Sequence, residues 1–195
     1  MNTTTANAVD IVALQQQPNF LDQMAALHQQ EWQGNGRKVS LQGRRERLQS
    51  HLRTTGLPNT WLALHNNELV GSVSLIDYVF HSAHEPSAWV ANLYVTPTWR
   101  GRGLGRRLLA FAEARGPQFR LQRLFLFTPN LRGFYQQSEW HFLHKARVQG
   151  QWVDVMMKWL PTHSTVEPIP APRKRTNPRY SGHFSPVPQT VQVGW

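Results

Sequence analysis

The stretch from Ala88 to Phe127 constrains the fold of this chain more than any other. Ala88 to Val95 is almost wholly apolar, which suits a strand covered on both faces. Pro97 ends it, and Thr96-Pro97-Thr98-Trp99 leads into Arg100-Gly101-Arg102-Gly103-Leu104-Gly105. Leu104, Leu108, Phe111 and Ala112 then share one helical face, with Arg106, Arg107 and Glu113 turned elsewhere. Gly116-Pro117 stops the helix, and Leu124-Phe125-Leu126-Phe127 is a second buried run. Buried strand, helix and buried strand make a βαβ unit, normally parallel and right-handed. The chain therefore belongs to the α/β class.

The flanking segments extend that unit on both sides. Val9 to Leu14 reads as a first strand. Pro18 opens a helix in which Phe20, Leu21, Met24, Leu27 and Trp32 recur at helical spacing, until Gly34-Asn35-Gly36 breaks it. Ser40 caps a second helix carrying Leu41, Leu48 and Leu52. Asn59 to Leu64 and Leu69 to Phe80 form a hairpin about a turn at His65-Asn66-Asn67-Glu68. Leu131 to Ser138 is a short helix, and Trp140 to Val148 and Trp152 to Leu160 are two further strands.

The loop between the buried strand and its helix has the makings of a pyrophosphate cradle. Glycine lets main-chain N–H groups approach a ligand closely. The helix N-terminus adds its unpaired N–H groups and a partial charge of roughly +0.5. Arg100 and Arg102 can add charge-assisted contacts. Two other phosphate motifs fit less well. A P-loop ends in Gly-Lys-Ser/Thr, whereas Arg106-Arg107 follow Gly105. The dinucleotide fingerprint needs glycine at its sixth position, where a count from Gly101 reaches Arg106.

Arg100-x-x-Gly103-x-Gly105, after a strand and before a helix, resembles the acyl-CoA signature of the GNAT N-acetyltransferases. The resemblance extends over Asp10 to Leu160. Trp89 to Val95, Leu124 to Pro129 and Phe134-Tyr135 look like a bacterial subgroup of unassigned substrate, and distantly like the actin N-terminal acetyltransferases. It implies a mixed, twisted sheet of about six to seven strands flanked by about four helices. The fourth strand should splay from the fifth at a bulge near Asn92-Leu93. Acetyl-CoA would be the cosubstrate, with its pyrophosphate on Arg100, Gly101, Arg102, Gly103, Leu104 and Gly105. Leu93 and Val95 would offer main-chain groups to the pantetheine amides, and Asn130 would stand at a polar cofactor contact. Tyr135 would protonate the departing thiolate. The family usually has glycine where Glu139 stands, which leaves the turn before Trp140 open.

The acceptor side is less legible. Asp77, His81, His84 or an ordered water could take the proton of the amine. His81-x-x-His84-Glu85 also has metal-ligand spacing, although two histidines and a carboxylate in a loop are weak grounds for zinc, and no metal is expected. Trp89 either lines the acceptor pocket or packs in the core. Arg44-Arg45-Glu46-Arg47 and Arg53 read as a solvated helix face.

The chain has 195 residues, enough for one α/β domain and a tail. With no cysteine it can have neither disulfides nor a cysteine acyl-enzyme. No signal pattern and no apolar run near the ~20 residues of a membrane span are evident, so a cytoplasmic protein, monomer or homodimer, is expected. A formal charge of +10 favours anionic partners, and a phosphorylated cofactor satisfies that. The acceptor would be an amine on a small molecule, a protein N-terminus or a lysine. The alternative is a non-catalytic module binding nucleic acid or an acidic protein. Residues 1–160 form the expected domain. Residues 161–195 hold seven of the thirteen prolines and the cluster Arg173-Lys174-Arg175, the composition of a disordered basic tail. A chain ended after Thr162 should therefore keep the melting temperature of the full chain; a large fall would show that the tail packs on the domain.

Overall fold

The computed structural model describes residues 8–32, 39–53, 55–80 and 87–161. His81, His84 and Glu85 lie outside these residues, as do the Gly34-Asn35-Gly36 break and almost all of the tail. Among the described residues seven strands form one sheet: β1 (Asp10–Ala13), β2 (Asn59–His65), β3 (Glu68–Tyr78), β4 (Ser87–Val95), β5 (Arg123–Thr128), β6 (His141–Val148) and β7 (Gln151–Trp159). Their spatial order is β1-β2-β3-β4-β5-β7-β6. Only β4 and β5 are parallel; every other neighbouring pair is antiparallel. Four α-helices among the described residues accompany the sheet: α1 (Leu21–Trp32), α2 (Leu41–Ser50), α3 (Leu104–Arg115) and α4 (Arg132–Gln136).

Local chemistry accounts for the elements. Pro18 to Phe20 make a 3₁₀ turn ahead of α1, and Leu21, Met24, Ala25 and His28 line its buried face. Ser40 caps α2 by accepting from Gly43 N at 3.0 Å. Of the leucines carried by α2, Leu48 is buried, whereas Leu41 in the first turn is exposed. The β2–β3 turn places Asn66 at φ 48° and Asn67 at φ 63°, the paired left-handed conformation that suits the twist of a two-residue hairpin. Glu139 also has positive φ, 63°. The turn before Trp140 thus keeps the conformation that glycine adopts most easily, with a side chain present.

Alternate residues of the strands serve two faces. Trp61, Val73, Leu75, Leu124 and Leu126 join Leu104, Leu108, Leu109 and Ala112 of α3 in one cluster, which also holds Tyr135 and Trp140. Gly71 makes the contact with α3 close: a Cβ there would meet Tyr94 O at 2.8 Å and Leu108 Cδ1 at 2.9 Å. The opposite face packs Leu62, Leu64 and Leu69 against Leu21, Met24 and Leu48 of α1 and α2. Farther along, that face carries Trp89, Ala146, Val148, Val153 and Val155. Burying each such large aliphatic side chain contributes on the order of 1.5–3 kcal/mol. Arg44 departs from the solvated helix face expected of it: it is buried, its Nε donates to Gln29 at 3.2 Å, and its guanidinium lies over the Trp32 ring. No helix among the described residues is long and apolar enough to cross a membrane.

Candidate active site

The site begins where the parallel pair comes apart. Trp89 and Phe125 are the one registered pair between β4 and β5. On its other edge β4 follows β3, but Ser74 faces Ala91 while Ser72 faces Tyr94, so Asn92 and Leu93 together stand against Val73. That is a β-bulge, with one extra residue in β4. Asn92 takes it up at φ 51°, a left-handed conformation that asparagine tolerates better than most residues. Pairing with β5 does not resume beyond it, and the C-terminal halves of β4 and β5 diverge as the family resemblance implied.

The glycine-rich loop closes the wide end of that gap. Gly101 and Gly103 have φ of 74° and 80°, and among the described residues beyond their chain neighbours no atom lies within 4 Å of where either Cβ would stand. Gly103 is the N-cap of α3 and supplies no side-chain cap, nor is there an acidic residue in the first turn. The N-terminal N–H groups of α3 therefore lack a side-chain acceptor among the described residues, which suits an anion. Gly105 sits between two other parts of the site: a Cβ there would meet Phe134 Cζ of α4 at 3.5 Å and Val95 Cγ2 of β4 at 3.8 Å. Loop, strand end and α4 thus converge at one point.

The arginines of the loop are partly engaged by the fold. Arg100 donates from Nε to Val95 O at 3.0 Å and pairs with Glu31 of α1 at 2.8 Å. Arg102 lies over the Trp99 ring, 5.3 Å from its centre. Arg106 bonds Gln137 beyond α4, and Arg107 reaches the Val9 carbonyl at 2.6 Å.

Tyr135 stands on α4 within the α3-side cluster, 8% exposed. Phe134 and Trp140 meet its ring edge to face. Burial pushes its phenol up to about 12. Arg132 pins α4 to β7 through Asp154 at 2.8 Å. Behind it, Glu113 of α3 accepts from Trp140 Nε1 at 2.7 Å and from Lys158 Nζ at 2.8 Å.

The remaining sequence candidates are scattered. Asn130 is exposed just past β5. Asp77 is exposed near the end of β3, opposite Ala88, and partial desolvation raises its carboxyl. Trp89 is buried in an aromatic stack with Phe80 at 5.0 Å and Phe125 at 5.4 Å, the packing alternative weighed for it.

Sequence reasoning passed over a buried polar network beneath the bulge. His28 and His51, from the two helical segments, reach Ser72, Thr60 and Ser74, which in turn reach Asn92. A signal was available: Ser72 and Ser74 alternate in an otherwise apolar strand, and His28 falls on the apolar face of α1. Burial, aided by Arg44 and His51, lowers His28 to about 3; burial lowers His51 to about 4.

The acetyltransferase (GNAT) family model matches residues 21–139. Solved structures share the fold. An aminoglycoside 6′-N-acetyltransferase complexed with coenzyme A aligns with a TM-score of 0.64 at 15% identity, over 78% of this chain and 98% of that one. An acetyltransferase from Streptococcus agalactiae aligns at 0.61 with 18% identity, over 78% and 98%. NAA60 of Arabidopsis thaliana in complex with acetyl-CoA aligns at 0.58 with 12% identity, over the same shares. No curated protein matches the chain.

The buried histidines predict acid sensitivity. Both are neutral in the fold, and both gain a proton near 6.5 when unfolded. Their contribution to stability is complete above pH 6.5 and falls with pH until each titrates in the fold, at about 4 for His51 and about 3 for His28. The unfolding free energy from urea melts should drop between pH 6.5 and 5, approaching a slope of about 2.7 kcal/mol per pH unit for two protons. His28→Gln should remove about half of that slope. A flat profile across this window would show that the histidines are not held neutral.

Proposed function

Because the chain belongs to the acetyltransferase (GNAT) family, whose model spans residues 21–139, we propose that it moves the acetyl group of acetyl-CoA to a primary amine by direct attack within a ternary complex. The observation that carries this reading is the convergence at Gly105, which brings an uncapped helix N-terminus, the end of the splayed strand and the helix bearing Tyr135 together. The absence of cysteine suits a route with no cysteine acyl-enzyme.

Each part then has a role. Gly101, Gly103, Leu104 and Gly105 present main-chain N–H groups to the pyrophosphate of acetyl-CoA, with the α3 N-terminus behind them. Arg102 is the loop arginine best suited to a phosphate, because Arg100 already pairs with Glu31 and mainly fastens the loop to α1 and β4. Leu93 and Val95 meet the pantetheine arm as a neighbouring strand would. Val95 does so with its carbonyl already accepting from Arg100. Asn130 lies past β5 as a peripheral polar contact.

Bound acetyl-CoA supplies the thioester that the neutral amine attacks and the thiolate that leaves. The Leu93 N–H is the donor we assign to the oxygen on which charge develops. Tyr135 gives the thiolate its proton and recovers one from solvent. A phenol raised to about 12 is a weaker acid than an exposed one. The same apolar surroundings raise the leaving thiol too, which narrows the mismatch. Asp77, on the acceptor side, or ordered water accepts the amine proton. A cytoplasmic setting, where acetyl-CoA is made and used, suits this role. The acceptor is an amine on a small molecule or on a protein.

Two variants test the scheme. Gly103→Asp has room for its side chain and asks aspartate to hold a φ of 80°, a strain local to the exposed loop, so the fold should survive at a small cost in stability. A carboxylate placed against the pyrophosphate should weaken acetyl-CoA binding by more than about 100-fold, the size of a lost charge-assisted contact plus repulsion. Unchanged calorimetric affinity in folded Gly103→Asp would rule out the cradle. Tyr135→Phe keeps the ring and removes the hydroxyl. Its kcat should fall by roughly 10²–10⁴-fold with little change in KM for acetyl-CoA. Because the phenol is raised, wild-type activity should hold to above about pH 10 before this group deprotonates. Near wild-type kcat in Tyr135→Phe, with chemistry rate-limiting, would assign the acid role elsewhere.

A further inference from the structure

Two histidines that this chemistry does not use lie directly under the bulge. His28 is wholly buried on α1, with Nε2 2.9 Å from Ser72 Oγ, and Ser72 Oγ donates to the Asn92 carbonyl at 2.9 Å. His51, at the C-terminus of α2, brings Nδ1 to 2.6 Å from Thr60 Oγ1. The Thr60 and Ser74 hydroxyls are 2.6 Å apart, and Asn92 Nδ2 donates to Ser74 Oγ at 3.0 Å. Both polar ends of Asn92, main chain and side chain, are therefore held, each by a relay that ends on a different helical segment.

Proton counting gives the relays a direction. A serine hydroxyl has one proton. Ser72 gives its own to the Asn92 carbonyl, so His28 Nε2 must be the donor to Ser72. His28 is the Nε2–H tautomer, and its Nδ1 has no partner among the described residues. Ser74 already accepts from Asn92. The arrangement in which each hydroxyl accepts once and donates once runs from Ser74 to Thr60 to His51, which makes His51 Nδ1 an acceptor. His28 must donate at its ε nitrogen, and in the arrangement with one bond given and one taken by each hydroxyl His51 accepts at its δ nitrogen.

We infer that His28 and His51 are positioning residues of the transfer site, which hold Asn92 in its left-handed conformation and so aim the main chain of Leu93 into the gap between β4 and β5. The inference rests on the acetyl-CoA reading above. Its physical basis is that a left-handed asparagine in a strand is metastable. An unanchored Asn92 would let β4 relax toward regular pairing, and regular pairing would turn the Leu93 N–H away. Two relays from α1 and α2 oppose that relaxation, and their buried donors and acceptors would go unsatisfied if Asn92 moved.

The tautomers make the test specific. Glutamine puts its amide nitrogen near the place of a histidine Nε2, and asparagine puts its amide oxygen near that of Nδ1. His28→Gln and His51→Asn should bind acetyl-CoA within about threefold of wild type. His28→Asn and His51→Gln should each weaken it by about tenfold, the scale of one lost buried hydrogen bond. The measurement is calorimetric titration of the full chain with acetyl-CoA, alongside thermal melts. Mere packing would not produce this crossed pattern, so equal behaviour of Gln and Asn at both positions overturns the inference. If the damaging variants do not fold, Asn92→Ala decides. It keeps the carbonyl but removes both the amide to Ser74 and asparagine's tolerance of the left-handed conformation, and should cost at least about tenfold in affinity, whereas Asn92→Gly, which holds that conformation without an anchor, should lose less. Wild-type affinity in Asn92→Ala overturns the inference. Failure of the wild-type chain to bind acetyl-CoA would instead overturn the functional reading on which it rests.

Discussion

Left to ordinary pairing, β4 and β5 would bond along their whole length, and the sheet would have no opening. The left-handed turn of Asn92 prevents this. One extra residue against Val73 bends β4 out of register, so that Trp89 and Phe125 are the last residues at which the two strands meet. Everything proposed for the chemistry depends on that interruption. Main-chain groups become available to a ligand only where a strand has been denied its neighbour. Because the bulge is unfavourable in isolation, the structure surrounds it with buried hydrogen bonds from β2, β3, α1 and α2.

The glycine-rich loop depends on the same geometry from the other side. Its arginines make the sequence look like a positively charged grip, yet most of them hold protein. Arg100 joins β4 to α1, Arg106 reaches past α4, and Arg107 ties α3 to the chain ahead of β1. The attraction available to an anion then comes from the uncapped N-terminus of α3, which the αL glycines leave open, together with Arg102. Glu113 serves α3 in a similar way from within, taking both the Trp140 indole and the Lys158 ammonium and so fixing the helix against the strand that follows α4.

Much of this could be read from particular residues. The run Ala88 to Val95, the glycines after it and the second run from Leu124 identified the parallel pair, because strands buried on both faces leave no room for polar alternation. Ser40 marked the start of α2, and Asn66-Asn67 marked the hairpin, because each serves a local backbone need. Arg44 was misread for a related reason. On a helix rich in charge nothing local separates an arginine facing water from one that lies over Trp32 and bonds Gln29. The order of the last three strands was equally hidden: β7 inserts between β5 and β6, although β6 comes first in the chain.

Sequence by itself determined the class of fold, the family signature and the place of the loop, because hydrophobic period, turn chemistry and glycine spacing act over a few residues. Tertiary structure alone decided which groups share a hydrogen bond. His28 and Ser72 are 44 residues apart, and Arg100 and Glu31 are 69 apart. No local pattern encodes such pairs. They arise when α1 and α2 pack on one face of the sheet and α3 on the other, which encloses polar side chains that must then find partners, as His28 finds Ser72 and His51 finds Thr60.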